Sequence, residues 1–297
     1  MPVHAVKKGV LRLNDVDSLI SIPSKEGKEN ISPRRGDYYN SMQLPSLTTK
    51  QTEILLLLYR YRFLTSTQIQ QFLHHKNNTR ISLWLKDLYD KKILSRIYSK
   101  TIGEINKPAI YYLGLKGRAH LLENKNCLPE LLNRVYREKT SSKTFQNHWI
   151  FVADLYFHYQ KATNEEKATF QFFTQTDLAD FAYAPLSLPD AFITVTESTK
   201  TTKRYFVEVF DENARRDDIR ACIASYCKYF RGKYWQDHYT FPFPKILLIC
   251  SNDNTKEYLS RFIPTTLEKE EIDLEFFLAL KSDIQKRGIQ VDTWEMI

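Results

Sequence analysis

Pro189-Asp190 opens a run of apolar residues, and Glu208 follows 18 residues later inside the segment Tyr205-Phe206-Val207-Glu208-Val209. Taken as two strands of an antiparallel hairpin, Asp190 stands at the start of one and Glu208 near the end of the next. Pairing of that kind can bring the two carboxylates together. Two carboxylate oxygens at one edge of a sheet, with a backbone carbonyl nearby, suit Mg2+ or Mn2+, hard cations that take oxygen ligands and keep several waters. An ion held there activates water and stabilises charge on a scissile phosphate. Strand alternation turns Glu208 to the face opposite Val207 and Val209, where it is either solvated or buried with a partner. A salt-bridged or solvated pair is the plainer alternative.

The surrounding sequence supplies elements that would position these groups. SSKTFQNHWIFVADLYFHYQKA reads as a long amphipathic helix, TFQFFT as a strand, and DAFITVT with RYFVEVF as the hairpin. A helix from about Ala214 to Phe230, the strand KILLIC, a short helix near Glu257, the strand IDLEFFLAL and a final strand VDTWEMI complete the half. Strands interleaved with helices, with one hairpin, predict a mixed α/β (α+β) sheet flanked by helices over residues 140–297.

The first half has different chemistry. Residues 1–150 carry 25 Lys and Arg against 12 Asp and Glu, a net +13, whereas residues 151–297 carry 18 against 23, a net −5. A basic half beside a mildly acidic one suggests that one domain meets a polyanion, although a solubilising bias would look the same. Residues 1–44, rich in Ser, Pro and Lys, read as a flexible basic arm with Arg34 and Arg35 as possible phosphate contacts. Over residues 45–125 the pattern is helix, helix, helix, hairpin and closing helix, the order of a winged helix-turn-helix. Its apolar stripes are Ile54, Leu55, Leu58 and Tyr61, then Ile69, Phe72 and Leu73, then Ile81, Leu85 and Leu88. The third helix, from Thr79 to about Asp90, would enter a major groove with Asn77, Asn78, Thr79, Arg80, Ser82 and Lys86 near base edges and phosphates. Lys100 and Lys107 would flank the wing tip, and Arg216 and Arg220, on one line of their own helix, would face DNA or solvent.

Several chemistries are disfavoured. Cys127, Cys222, Cys227 and Cys250 have no zinc spacing and read as reduced, buried thiols. Neither a phosphate-binding GxxxxGK[ST] loop nor a G-x-S-x-G elbow is present. No His-apolar-His pair offers the metal site of tyrosine relaxases. The longest apolar stretch, Ile54 to Leu58, is too short to span a bilayer, and the first residues lack a signal-peptide pattern. These features predict a cytoplasmic protein with no membrane partner.

PD at 189–190 followed by VEV around Glu208 resembles the PD-(D/E)XK nuclease core. The winged helix, the helix with His148 and Asp154, PDA, VEV, the Tyr226 helix, KILLIC and FFLAL followed by a tryptophan resemble, in that order, the plasmid replication-relaxation family over about residues 47–297. That family is similar in plan to mobilisation relaxases of the Mob C class. The resemblance implies Asp190 and Glu208 as ligands of Mg2+ or Mn2+ and Asp154 as an acidic helper from the preceding helix. It also implies double-stranded or partly melted DNA as partner, with other mobilisation or replication proteins. Where it implies a lysine two residues after Glu208, the chain has Phe210, so Lys228 or Arg220 would have to reach in. The expected activity is metal-dependent DNA nicking. The alternatives are a regulator whose nuclease-like domain has lost its chemistry, and an assembly scaffold with no salt-dependent DNA affinity.

Overall fold

A computed structural model describes residues 44–98, 107–124, 126–181, 183–185 and 187–297. The expected basic arm, apart from Leu44, and Lys100 lie outside the described residues. The chain divides between Thr140 and Ser141 into two compact units.

The first unit begins with α1 (Thr49–Tyr61), β1 (Leu64–Thr65), α2 (Ser66–Phe72) and α3 (Asn78–Asp90). Thr48 and Thr65 cap α1 and α2 in reciprocal boxes with Gln51 and Gln68, and Asn77 caps α3 by accepting from the Arg80 N–H. Each cap satisfies backbone donors that the first helical turn leaves unpaired. The anticipated apolar stripes are buried, with Ile54, Leu55, Leu58, Tyr61, Ile69, Ile81, Leu85 and Leu88 fully enclosed. Next come β2 (Leu94–Ile97), β3 (Ile110–Leu113), α4 (Leu115–Leu122) and α5 (Pro129–Arg137), with a 3-10 turn at Glu138–Thr140. The antiparallel sheet has the order β1-β3-β2, so the hairpin gains Leu64–Thr65 as a third strand. The result is a winged helix-turn-helix extended by α5. That helix buries Leu131, Leu132 and Val135, and Arg118 of α4 donates to Asn133 within it.

Gly117 fixes how closely α4 approaches the strand that begins the wing. A Cβ there would lie 2.3 Å from the backbone carbonyl oxygen of Ile93, which cannot yield as a side-chain tip would. Gly117→Ala is therefore expected to destabilise the protein by about 2–3 kcal/mol through overpacking. Circular dichroism melts compare the variant with wild type; unchanged melting would show that α4 shifts freely.

The second unit starts with α6 (Lys143–Glu165), followed by β4 (Thr169–Thr174), α7 (Gln175–Leu178), β5 (Ala191–Thr196) and β6 (Thr202–Phe210). Then come α8 (Arg216–Arg231), α9 (Tyr234–His238), β7 (Lys245–Cys250) and α10 (Asp253–Glu270). The chain finishes with β8 (Phe276–Leu280), α11 (Lys281–Arg287), a 3-10 turn at Val291–Thr293 and β9 (Glu295–Met296). The six-stranded sheet has the order β4-β5-β6-β7-β8-β9. β4, β5 and β6 form an antiparallel meander, β6, β7 and β8 run parallel, and β9 returns antiparallel. Helix, three-stranded meander, helix and parallel strand follow one another in the order that the sequence resemblance implies. KILLIC reads as continuously apolar because β7 lies inside the parallel part of the sheet and is covered on both faces. Near Glu257 the structure corrects the sequence expectation: α10 runs 18 residues rather than forming a short helix, with Asn252 capping it and Pro264 inside it. Among the described residues, no helix is long and apolar enough to cross a membrane.

Candidate active site

The register of the meander brings the two carboxylates together. Ala191 pairs with Val207, so one step further along the antiparallel ladder Asp190 lies opposite Glu208. Asp190 is 8% exposed. Its Oδ2 accepts the backbone N–H of Val209 at 2.8 Å, and its Oδ1 lies 3.0 Å from Nε2 of His148 on α6. The other ring nitrogen of His148, Nδ1, lies 3.1 Å from Oδ2 of Asp211, just beyond the end of β6. Each ring nitrogen thus lies within hydrogen-bond distance of a carboxylate oxygen, the arrangement that an imidazolium, a donor at both nitrogens, would make. Burial opposes that charge, but Asp190 and Asp211 outweigh it and hold the His148 pKa up to about 10.

Glu208 faces the opposite helix. Its Oε1 accepts from the Tyr226 hydroxyl of α8 at 2.7 Å, and the Cys222 thiol is a second neighbour. Burial first, then the charge of Asp190, push the Glu208 carboxyl well above the usual carboxylate range, against the donation from Tyr226. Burial, reinforced by Glu208, likewise raises the Tyr226 hydroxyl, which remains a donor. Burial and the charge of Asp190 thus disfavour the ionised form of Glu208, a cost that a divalent cation would relieve. Among the described residues, no group of three or more His, Cys, Asp or Glu side chains is arranged to hold a metal. Two carboxylates nevertheless suffice for Mg2+, whose remaining positions commonly go to water and substrate phosphate. The donor set therefore fits Mg2+ or Mn2+ through Asp190 and Glu208.

The replication-relaxation family model matches residues 55–245, more than half of the chain and including this constellation. The chain belongs to the replication-relaxation family. No curated protein matches. Among solved structures, the restriction endonuclease FokI is similar at 11% identity with a TM-score of 0.30, over 82% of this chain and 46% of that one. The chain thus spans about half the length of that protein.

Within this family member, the other anticipated residues are placed unevenly. Asp154 is half-buried on α6, and its charge acts on Lys281, the first residue of α11. Lys228 is exposed on α8, whereas Tyr226 of that helix turns in to bond Glu208; two residues along a helix is a rotation of about 200°. Lys228 is therefore not brought to the carboxylates. Arg216 and Arg220 are exposed farther toward the start of α8, over the ring of Tyr258 of α10. The Arg220 Nε donates to the Tyr258 hydroxyl at 2.8 Å. Phe210 is 9% exposed and, by alternation, shares the face of Glu208, so the strand itself carries no cation there.

On α3 the Asn77 side chain is spent on capping, while Asn78, Thr79, Arg80, Ser82 and Lys86 are exposed. Arg80 lies over the ring of Trp84, and Lys86 pairs with Asp90 at 2.6 Å on the exposed face. Lys107 is exposed next to the strand β3. Neither Asp211 nor Lys281 carries a signal in the local sequence. Asp211 follows the strand as an ordinary turn residue, and only the position of α6 shows that it completes the His148 pair.

Proposed function

We propose that this protein is a metal-dependent DNA-nicking relaxase of a plasmid or other mobile element, acting in the cytoplasm during mobilisation or replication. The observation that carries this reading is the juxtaposition of buried Asp190, just before β5, with half-buried Glu208 of β6, each carboxylate fixed by its own donor. Mg2+ or Mn2+ held by these two residues would neutralise phosphate charge and make water more nucleophilic. The chain's own groups do the rest. The Val209 N–H and His148 hold Asp190 in one orientation, and Asp211 holds His148. Tyr226 fixes one oxygen of Glu208 by donating to it. Such rigid placement lowers the reorganisation needed during reaction.

The winged helix would deliver the DNA, with the exposed polar face of α3 in a major groove. Arg80→Ala is expected to weaken DNA binding about tenfold and to lower the slope of log affinity against log salt by about one. Fluorescence anisotropy across a salt series measures both, and an unchanged slope would remove Arg80 from the phosphate contacts.

Phe210 favours a second reading, a DNA-binding regulator without cleavage. Asp190→Ala separates the two. A nuclease loses cleavage while the variant binds DNA in EDTA as wild type does; a regulator shows no cleavage in either protein.

A further inference from the structure

Four observations converge on Lys281. It follows β8 directly, and β6, β7 and β8 are parallel, so residue 281 lies at the same end of the sheet as Asp211. Its Nζ sits 4.3 Å from the centre of the Phe151 ring of α6. Asp211 and Asp154 act on it electrostatically, and Asp211 is the residue that holds His148 against Asp190. Yet among the described residues the Lys281 ammonium makes no hydrogen bond or ion pair, and the side chain is half-buried. An ammonium with three donors, partly withdrawn from water and held over a ring rather than locked to a carboxylate, is poised for an incoming anion. Burial, opposed by Asp211 and Asp154, keeps its pKa below the usual lysine range.

We propose that Lys281 binds the phosphate of the DNA strand beside the Asp190–Glu208 site and supplies the cation that Phe210 leaves missing from β6. This rests on the nuclease reading for the strand it would help to cleave, but not for the phosphate contact itself. The position explains why neither Lys228 nor Arg220 need reach in: the charge comes from two strands away, at the end where β6 and β8 both finish.

The contact is tested on the full chain in EDTA by amine modification and mass spectrometry, with and without a short oligonucleotide duplex carrying a central nick. Modification of Lys281 is expected to fall several-fold on addition of DNA, while that of Lys228 stays constant. Unchanged modification of Lys281 overturns the proposal, whether or not the protein cleaves DNA. A second arm compares nicking by wild type, Lys281→Ala and Lys281→Arg. At saturating DNA the alanine variant is expected to lose about 100-fold in nicking rate, the cost of removing one charge-stabilising donor, and arginine to restore part of it. A Lys281→Ala protein that nicks at the wild-type rate overturns the catalytic part. Protection of Lys281 in a protein that nicks nothing supports the phosphate contact and sinks the nuclease reading instead.

Discussion

Glu208→Gln is expected to reduce nicking at least about 10³-fold while making the metal-free protein more heat-stable. The two effects share one cause. Glutamine keeps an oxygen to accept from Tyr226 and offers an N–H to Asp190, but it removes the charge that burial and Asp190 both oppose. Relief of a poorly compensated buried charge contributes about 1–3 kcal/mol, or roughly 3–10 °C in melting temperature for a unit of this size. The direction with pH follows from the raised folded-state pKa of Glu208. Near the ordinary glutamate pKa the folded carboxyl is protonated at no penalty. As pH rises above that value the unfolded chain ionises first, so wild type loses stability that the variant keeps. Calorimetric melts in EDTA should therefore coincide near about pH 4.5 and diverge toward pH 8. A variant less stable than wild type at pH 8 would mean that Glu208 is charged and satisfied without a cation.

His148→Phe is expected to act in the opposite sense, lowering stability by about 3–5 kcal/mol at neutral pH. Phenylalanine occupies much of the same space but leaves Asp190 and Asp211 facing each other without the imidazolium between them. Because the folded pKa is raised to about 10, the contribution of His148 is complete below the unfolded value of about 6.5 and disappears as pH rises through 10. Wild type and variant should differ most near pH 6 and converge above pH 10 in thermal melts. A difference that stays constant over that range would assign His148 a packing role, not a charged one.

Much of this was legible in the residues. The apolar stripes and capping residues Thr48, Thr65 and Asn77 announce three helices, because caps and period-3.6 patterns are local properties. Alternation in YFVEV placed Glu208 apart from Val207 and Val209, and the hairpin brought it to Asp190. Other features depend on distant contacts that leave no local trace. Leu64–Thr65 is a strand only because β3 pairs with it. Asp211 bonds His148 from 63 positions away. Lys281 begins a short helix after a strand, and nothing near it in sequence distinguishes it from any surface lysine. Lys228, two positions after Tyr226, was plausible by sequence proximity and is excluded by helical rotation.

The measurement closest to the central claim is the time course of open-circle formation from supercoiled plasmid bearing the cognate transfer origin, in Mg2+, in Mn2+ and in EDTA, with Asp190→Asn as control. Open circles that require the metal and vanish in the variant are the expected result. Tight binding without cleavage in either metal would contradict it and leave the Asp190–Glu208 pair as the remnant of a site in a DNA-binding regulator.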